Sequence, residues 1–241
     1  MQPLRRTRSH FNSHRQVGFI FTLSLLLLAT TAKLEAQFFK RILDAGPIVT
    51  DSVRSSALSW NDYNNDGYLD LYTSEATPHM YRNLGNGTFA RVDTGHFITP
   101  PAPSPFGTVA AVWADYDNDG FLDLYRANFS TFDNRGNPQT PLVDFLYKNE
   151  GPPHYNLRLV PLDNALTMTP TCSWTDYDND GDVDLFATGA LGTPDLFYRN
   201  EGNDVFTRLQ NLAFLATRNI GVHDSWIDYD NDGDEDVFFG N

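Results

Sequence analysis

Short alternations of apolar and polar residues recur along the chain and predict strands. Tyr68-Leu-Asp-Leu-Tyr72, Phe121-Leu-Asp-Leu-Tyr125 and Asp182-Val-Asp-Leu-Phe186 each carry the period of two of a pleated strand. Each follows a polar loop, and each loop follows a small or apolar run ending in Trp: Ser55 to Trp60, Thr108 to Trp113, Pro170 to Trp174 and Gly221 to Trp226. Beyond the alternating strand comes another: Met80-Tyr-Arg-Asn83, Leu146-Tyr-Lys-Asn149 and Phe197-Tyr-Arg-Asn200. A Gly-rich turn follows, clearest at Gly85-Asn86-Gly87, a strong hairpin signal. A last strand then runs through Thr88–Val92, Asn156–Leu159 and Val205–Leu209.

Four short antiparallel strands per unit, repeated radially, describe an all-β fold, a β-propeller of four-stranded antiparallel blades. The units fall at roughly 55–95, 108–162, 170–212 and 221–241, so about three and a half blades are present. The last unit stops inside its second strand. Phe38-Phe-Lys-Arg-Ile42 has the cadence of a final blade strand. Both features lead to the expectation that the chain is a fragment of a larger propeller. The second unit is longer, with a polar, Pro/Gly-bearing insertion from Asn128 to Leu142 between its second and third strands. Repeat insertions gather on one face, where binding surfaces are often built, although a plain surface loop reads the same way.

The loops carry the chemistry. Each copy reads Trp-x-Asp-x-Asp/Asn-x-Asp-Gly-x-x-Asp, with loop position 1 at Asp62, Asp115, Asp176 and Asp228. Positions 1, 3, 5 and 9 bear carboxylate or amide oxygens and position 6 is Gly, a spacing suited to a hard cation and best to Ca²⁺. An EF-hand needs an acidic residue at position 12, which here is Thr73, Arg126, Ala187 or Phe239. The four tryptophans are expected to pack between blades. Arg82, Lys148 and Arg199 are expected to brace turns or neighbouring carboxylates.

Charge sharpens the picture. Arg5, Arg6, Arg8 and Arg15 precede the apolar run Val17–Ala29, so residues 1–36 read as a secretory signal peptide cut after Ala36. The apolar run is 13 residues, short of the ~20 that span a bilayer. The expected product is therefore exported — extracellular, cell-surface or periplasmic — with no membrane insertion after cleavage. The remaining 37–241 segment holds 12 basic and 30 acidic residues, a net charge of −18, which argues against nucleic acid as a partner. Of those acidic residues 18 lie in the four loops, and such clustering repels itself unless cations bind there. The sole cysteine, Cys172, excludes an internal disulfide and reads as a small buried thiol.

With these motifs in hand, the chain resembles the FG-GAP/VCBS repeat family, whose best-known members form the propeller of integrin α-subunits. The match covers about 38–241, and the Tyr-Arg-Asn-x-Gly-Asn-Gly-Thr-Phe stretch at 81–89 looks like bacterial secreted members. The Phe-Gly dipeptide of the family name stands before a loop once, at Phe106-Gly107. The resemblance implies Ca²⁺ between the first two strands of each blade, and adhesion or recognition outside the cell. Assigned position by position, the first ligand set is Asp62, Asn64, Asp66, the Tyr68 carbonyl and Asp70. The second is Asp115, Asp117, Asp119, the Phe121 carbonyl and Asp123. The third is Asp176, Asp178, Asp180, the Asp182 carbonyl and Asp184. The fourth is Asp228, Asp230, Asp232, the Asp234 carbonyl and Asp236. The first set has three carboxylates where the others have four, so it is expected to bind most weakly.

Three functional classes follow. One is a non-catalytic calcium-binding module recognising an extracellular protein or glycan. The second is a propeller-based polysaccharide lyase or hydrolase, for which His223-Asp224 is the one adjacent pair of interest. The third is a structural segment of a larger surface protein. No catalytic set stands out, and the acidic residues are taken up as candidate metal ligands.

Overall fold

The computed structural model describes residues 41–53, 55, 57–74, 78–93, 108–132, 137–212, 215 and 223–240. The signal-peptide reading, residues 38–40 of the expected N-terminal strand, and Phe106-Gly107 lie outside them. Arg41 and Ile42 belong to no strand. The segment 44–241 forms one compact unit. It opens with a single helical turn, α1 (Pro47–Thr50), started by a proline that sets the first helical φ. Asp51, just past it, accepts a hydrogen bond from the Tyr81 hydroxyl at 3.0 Å.

Three four-stranded antiparallel sheets and a final hairpin follow. Blade 1 is β1 (Ala57–Asn61), β2 (Asp70–Ser74), β3 (His79–Asn83) and β4 (Phe89–Val92), paired in that order. Blade 2 is β5 (Thr108–Ala114), β6 (Asp123–Asn128), β9 (Phe145–Asn149) and β10 (Leu157–Val160). Between β6 and β9 the insertion folds into its own hairpin, β7 (Ser130–Phe132) against β8 (Pro138–Pro141). Blade 3 is β11 (Cys172–Thr175), β12 (Asp184–Ala187), β13 (Leu196–Asn200) and β14 (Phe206–Leu209). Blade 4 is the hairpin β15 (His223–Ile227) and β16 (Asp236–Gly240). The fold is thus an all-β propeller arrangement with three and a half blades among the described residues. The innermost strands β1, β5, β11 and β15 each touch the next.

One register recurs. Trp60 faces Leu71, Trp113 faces Leu124, Trp174 faces Leu185 and Trp226 faces Val237. The polar loops are therefore equivalent hairpin loops joining the first two strands of each blade. Position 12 lies inside β2, β6, β12 or β16, aligned in the strand ladder, so it cannot close the loop as an EF-hand glutamate would.

The core sits between blades. Alternation along β6 sends Leu124 to one sheet face and Tyr125 to the other. Leu124, Tyr147 and Leu157 pack with Tyr63, Tyr72 and Met80 of blade 1. Tyr125, Ala127 and Leu146 pack with Cys172, Leu185 and Leu196 of blade 3. The second strands of blades 1 to 3 are buried along their whole length, as strands covered on both faces are. Burial pushes the Cys172 thiol pKa well up.

The tryptophans stitch this stack. Trp113 meets Tyr72 of blade 1 edge-on at 5.8 Å and donates its Nε1–H to Ser59 at 2.9 Å. Trp226 meets Phe186 of blade 3 at 5.6 Å and donates to Ser173 at 3.1 Å. Trp174 stacks on Tyr116 of blade 2 at 6.1 Å, but its buried Nε1–H has no acceptor. The residue equivalent to Ser59 and Ser173 is Val112 there, which explains the orphan.

Candidate metal loops

Each loop is built the same way. Position 1 accepts two backbone N–H groups: Asp62 from Asp66 and Gly67, Asp115 from Asp119 and Gly120, at 2.8 to 3.0 Å. Asp176 and Asp228 repeat the pattern at 3.0 to 3.1 Å. The turn requires left-handed backbone at position 6, where φ is 85° to 98° at Gly67, Gly120, Gly181 and Gly233, a region open to glycine. Position 5 accepts the N–H of position 7: Asp66 from Tyr68, Asp119 from Phe121, Asp180 from Asp182 and Asp232 from Asp234, at 3.0 to 3.1 Å.

The loop closes on position 9. Asp123 accepts from the N–H of Asn149 and of Tyr116, and Asp184 from Asn200 and Tyr177. Asp70 accepts from Asn83 through one oxygen, while its other is buried without a donor. Asp236 accepts from Tyr229.

Positions 1, 3 and 9 converge. Ligand oxygens of Asp115, Asp117 and Asp123 lie within 4.8 Å of one another, as do those of Asp176, Asp178 and Asp184, and of Asp228, Asp230 and Asp236. Those nine side chains are brought together in three groups that could hold a metal ion. In the first loop position 3 is Asn64, whose amide donates to Asp66 at 3.0 Å.

Burial and charge crowding both act on the closing carboxylates. Burial, reinforced by neighbouring carboxylates, pushes Asp70 and Asp184 up to about 7 and Asp123 up to about 8. A buried Asp117 oxygen also lacks a donor. Undonated oxygens beside like charges form a donor set that a divalent cation would satisfy. Basic side chains offset part of this. Lys148 contacts Asp117 and lies 3.5 Å from Asp119, and Arg82 lies 3.7 Å from Asp66. Arg199 instead pairs with Glu201 in the adjoining turn.

Two sets of asparagines outside the predicted ligand sets tie the loops together. Asn149 donates to the Tyr63 carbonyl of the preceding loop at 2.8 Å, and its Oδ1 accepts from Gly151. Asn200 likewise donates to the Tyr116 carbonyl at 2.7 Å and accepts from Gly202. These are the Asn of Tyr-Arg/Lys-Asn. The other set is position 4, where Asn65, Asn118, Asn179 and Asn231 have φ of 54° to 60°. Asn65 donates to the Gly120 carbonyl, Asn118 to Asp182, and Asn179 to the Gly233 carbonyl and Asp234. Each loop is thus tied to the next. The signal was present: Asn recurs at position 4 in all four copies, and it is among the residues that tolerate left-handed backbone.

The pair His223-Asp224 is split by strand alternation. His223 is exposed, while Asp224 is partly buried and accepts from Ser173.

The fold and loops define a class: a repeat-built β-propeller module with a carboxylate loop at the same corner of every blade. The chain belongs to the FG-GAP-like repeat family, whose pattern matches residues 62–125 and 176–239. No curated protein matches it. Repeats of this family build propeller-like modules that often serve recognition or adhesion.

Proposed function

We propose that this chain is a secreted or surface, non-catalytic propeller module whose loops bind Ca²⁺ and hold a surface for a protein or glycan. The convergence of three carboxylates in each of loops 2 to 4 carries the reading. The cation would sit among positions 1, 3, 5 and 9 and the position-7 carbonyl, with Gly at position 6 allowing the turn. An open, oxygen-rich donor set suits Ca²⁺ better than Mg²⁺, which demands tight octahedral geometry. The metal's role here is structural: four ions would bring the net charge of 37–241 from −18 to −10. Extracellular placement rests on the family, whose repeats occur in extracellular and surface proteins, and on the basic-apolar leader. Among the described residues no helix is long and apolar enough to cross a membrane.

Calorimetric titration of chelator-stripped protein tests the metal assignment. Up to four Ca²⁺ should bind, at ~10⁻⁴–10⁻³ M as in other extracellular modules, with Mg²⁺ weaker. Asp123→Asn should remove one site. Absence of binding heat, or equal affinity for Mg²⁺, contradicts it.

A further inference from the structure

Loops 2 and 3 carry the same acidic side chains at positions 1, 3, 5 and 9, so each serves as a control for the other. They differ in the basic residue of the Tyr-Arg/Lys-Asn strand. In blade 2 the Lys148 ammonium contacts Asp117 at position 3 and lies 3.5 Å from Asp119 at position 5. The pair is mostly withdrawn from solvent, with the Lys148 side chain 23% and the Asp117 side chain 13% exposed, so salt screens it little. In blade 3 the equivalent Arg199 turns away and pairs with Glu201. Among the described residues no ion pair forms on Asp176, Asp178, Asp180 or Asp184.

Nothing nearby draws Lys148 off the loop. The third carboxylate that acts on it, Asp204, is already held by Arg158 at 2.6 Å and by the Tyr116 hydroxyl at 2.7 Å. Lys148 is therefore a cation tethered at two of the positions assigned to a metal ion. A counter-charge that steadies the loop by itself lowers what a second cation can add, because binding is measured against the loop in its free state. Two cations on one carboxylate pair also repel each other.

We propose that Lys148 is the built-in counter-ion of loop 2: it holds the position-3 and position-5 carboxylates together without metal, and so sets a weaker Ca²⁺ affinity there than at loop 3. The affinity half rests on the reading that these loops bind Ca²⁺; the half that concerns the metal-free loop does not. Loop 2 then keeps its shape when calcium is scarce, while loop 3, with the same carboxylates and no tethered cation, depends on the metal.

Hydrogen exchange read by mass spectrometry compares the two loops directly. The reporters are the amides of Asp119 and Gly120, which donate to Asp115, and those of Asp180 and Gly181, which donate to Asp176. In chelator, wild-type 119–120 should exchange more slowly than 180–181. Lys148→Met, which keeps the stem and loses the charge, should speed 119–120 by about tenfold, the scale of one charge-assisted hydrogen bond. Lys148→Arg, which keeps the charge, should keep most of the protection. In calorimetric titration with Ca²⁺, Lys148→Met should tighten one site by a similar factor, and the tightening should vanish once Asp123→Asn has removed loop 2. Circular dichroism and melting confirm that each variant is folded. Unchanged exchange at 119–120 in folded Lys148→Met, or a calcium site that stays the same or weakens, overturns the proposal. If Ca²⁺ binds nowhere, the metal reading falls, while the exchange in chelator still decides whether Lys148 holds the loop.

Discussion

At the residue scale, single polar atoms decide how well adjacent blades hold. The Trp174 indole N–H is buried with no acceptor because Val112 occupies the place of a serine. Val112→Thr, which keeps the volume and adds an oxygen, should stabilise by about 1 kcal/mol. The gain should vanish in a Trp174→Phe background, read by a double-mutant cycle in denaturant. Asn200 ties four groups together: it donates to Tyr116 and Val183, accepts from Gly202, and gives its own N–H to Asp184. Asn200→Ala should cost about 2–3 kcal/mol, the sum of several buried hydrogen bonds, and Asn83→Ala less, since among the described residues Asn83 makes no cross-blade bond. Equal losses at the two positions would show that the cross-blade carbonyl contributes nothing.

At the scale of elements, strand alternation and loop spacing were readable from the sequence because both are local. The period of two in 68–72 or 121–125, and a Gly six places into each loop, need no knowledge of neighbours. The sheet order inside each blade and the convergence of Asp115, Asp117 and Asp123 followed from that pattern. What stayed hidden was non-local. Nothing in the composition of 128–142 says that it folds back as β7 and β8, with Asp144 beyond it accepting from Asn128, Tyr125 and Thr169. Nor does an Asn at position 4 say that it reaches the next loop, since that partner lies 54 or more residues away. The first loop gives the element-scale test. Asn64→Asp adds a fourth carboxylate and should tighten that site in a calcium titration, without changing the other three. An unchanged first site contradicts the ordering by ligand charge.

Over the whole molecule, buried carboxylates link stability to pH. Burial raises Asp144 to about 7, and Asp70, Asp184 and Asp123 to about 7, 7 and 8. A folded pKa above the unfolded value of 3.8 means the folded state binds the proton more tightly. The resulting stability is full below that value and is lost as pH rises through about 7 to 8. Metal-free protein should therefore melt at progressively lower temperature between these limits. Calcium should recover the part owed to the loop carboxylates, because the cation favours their charged form, and leave the Asp144 part, which Asp144→Asn should remove. The most direct test of the account is thermal unfolding of chelator-stripped protein at neutral pH, without Ca²⁺ and with Ca²⁺ raised stepwise to well above the Kd. The account predicts a melting temperature that rises with Ca²⁺ concentration, the stabilisation reaching ~2.7 kcal/mol per site at a hundredfold excess over Kd, and far less with Mg²⁺. A melting temperature indifferent to Ca²⁺ would contradict the claim that these loops are metal sites holding the blades together.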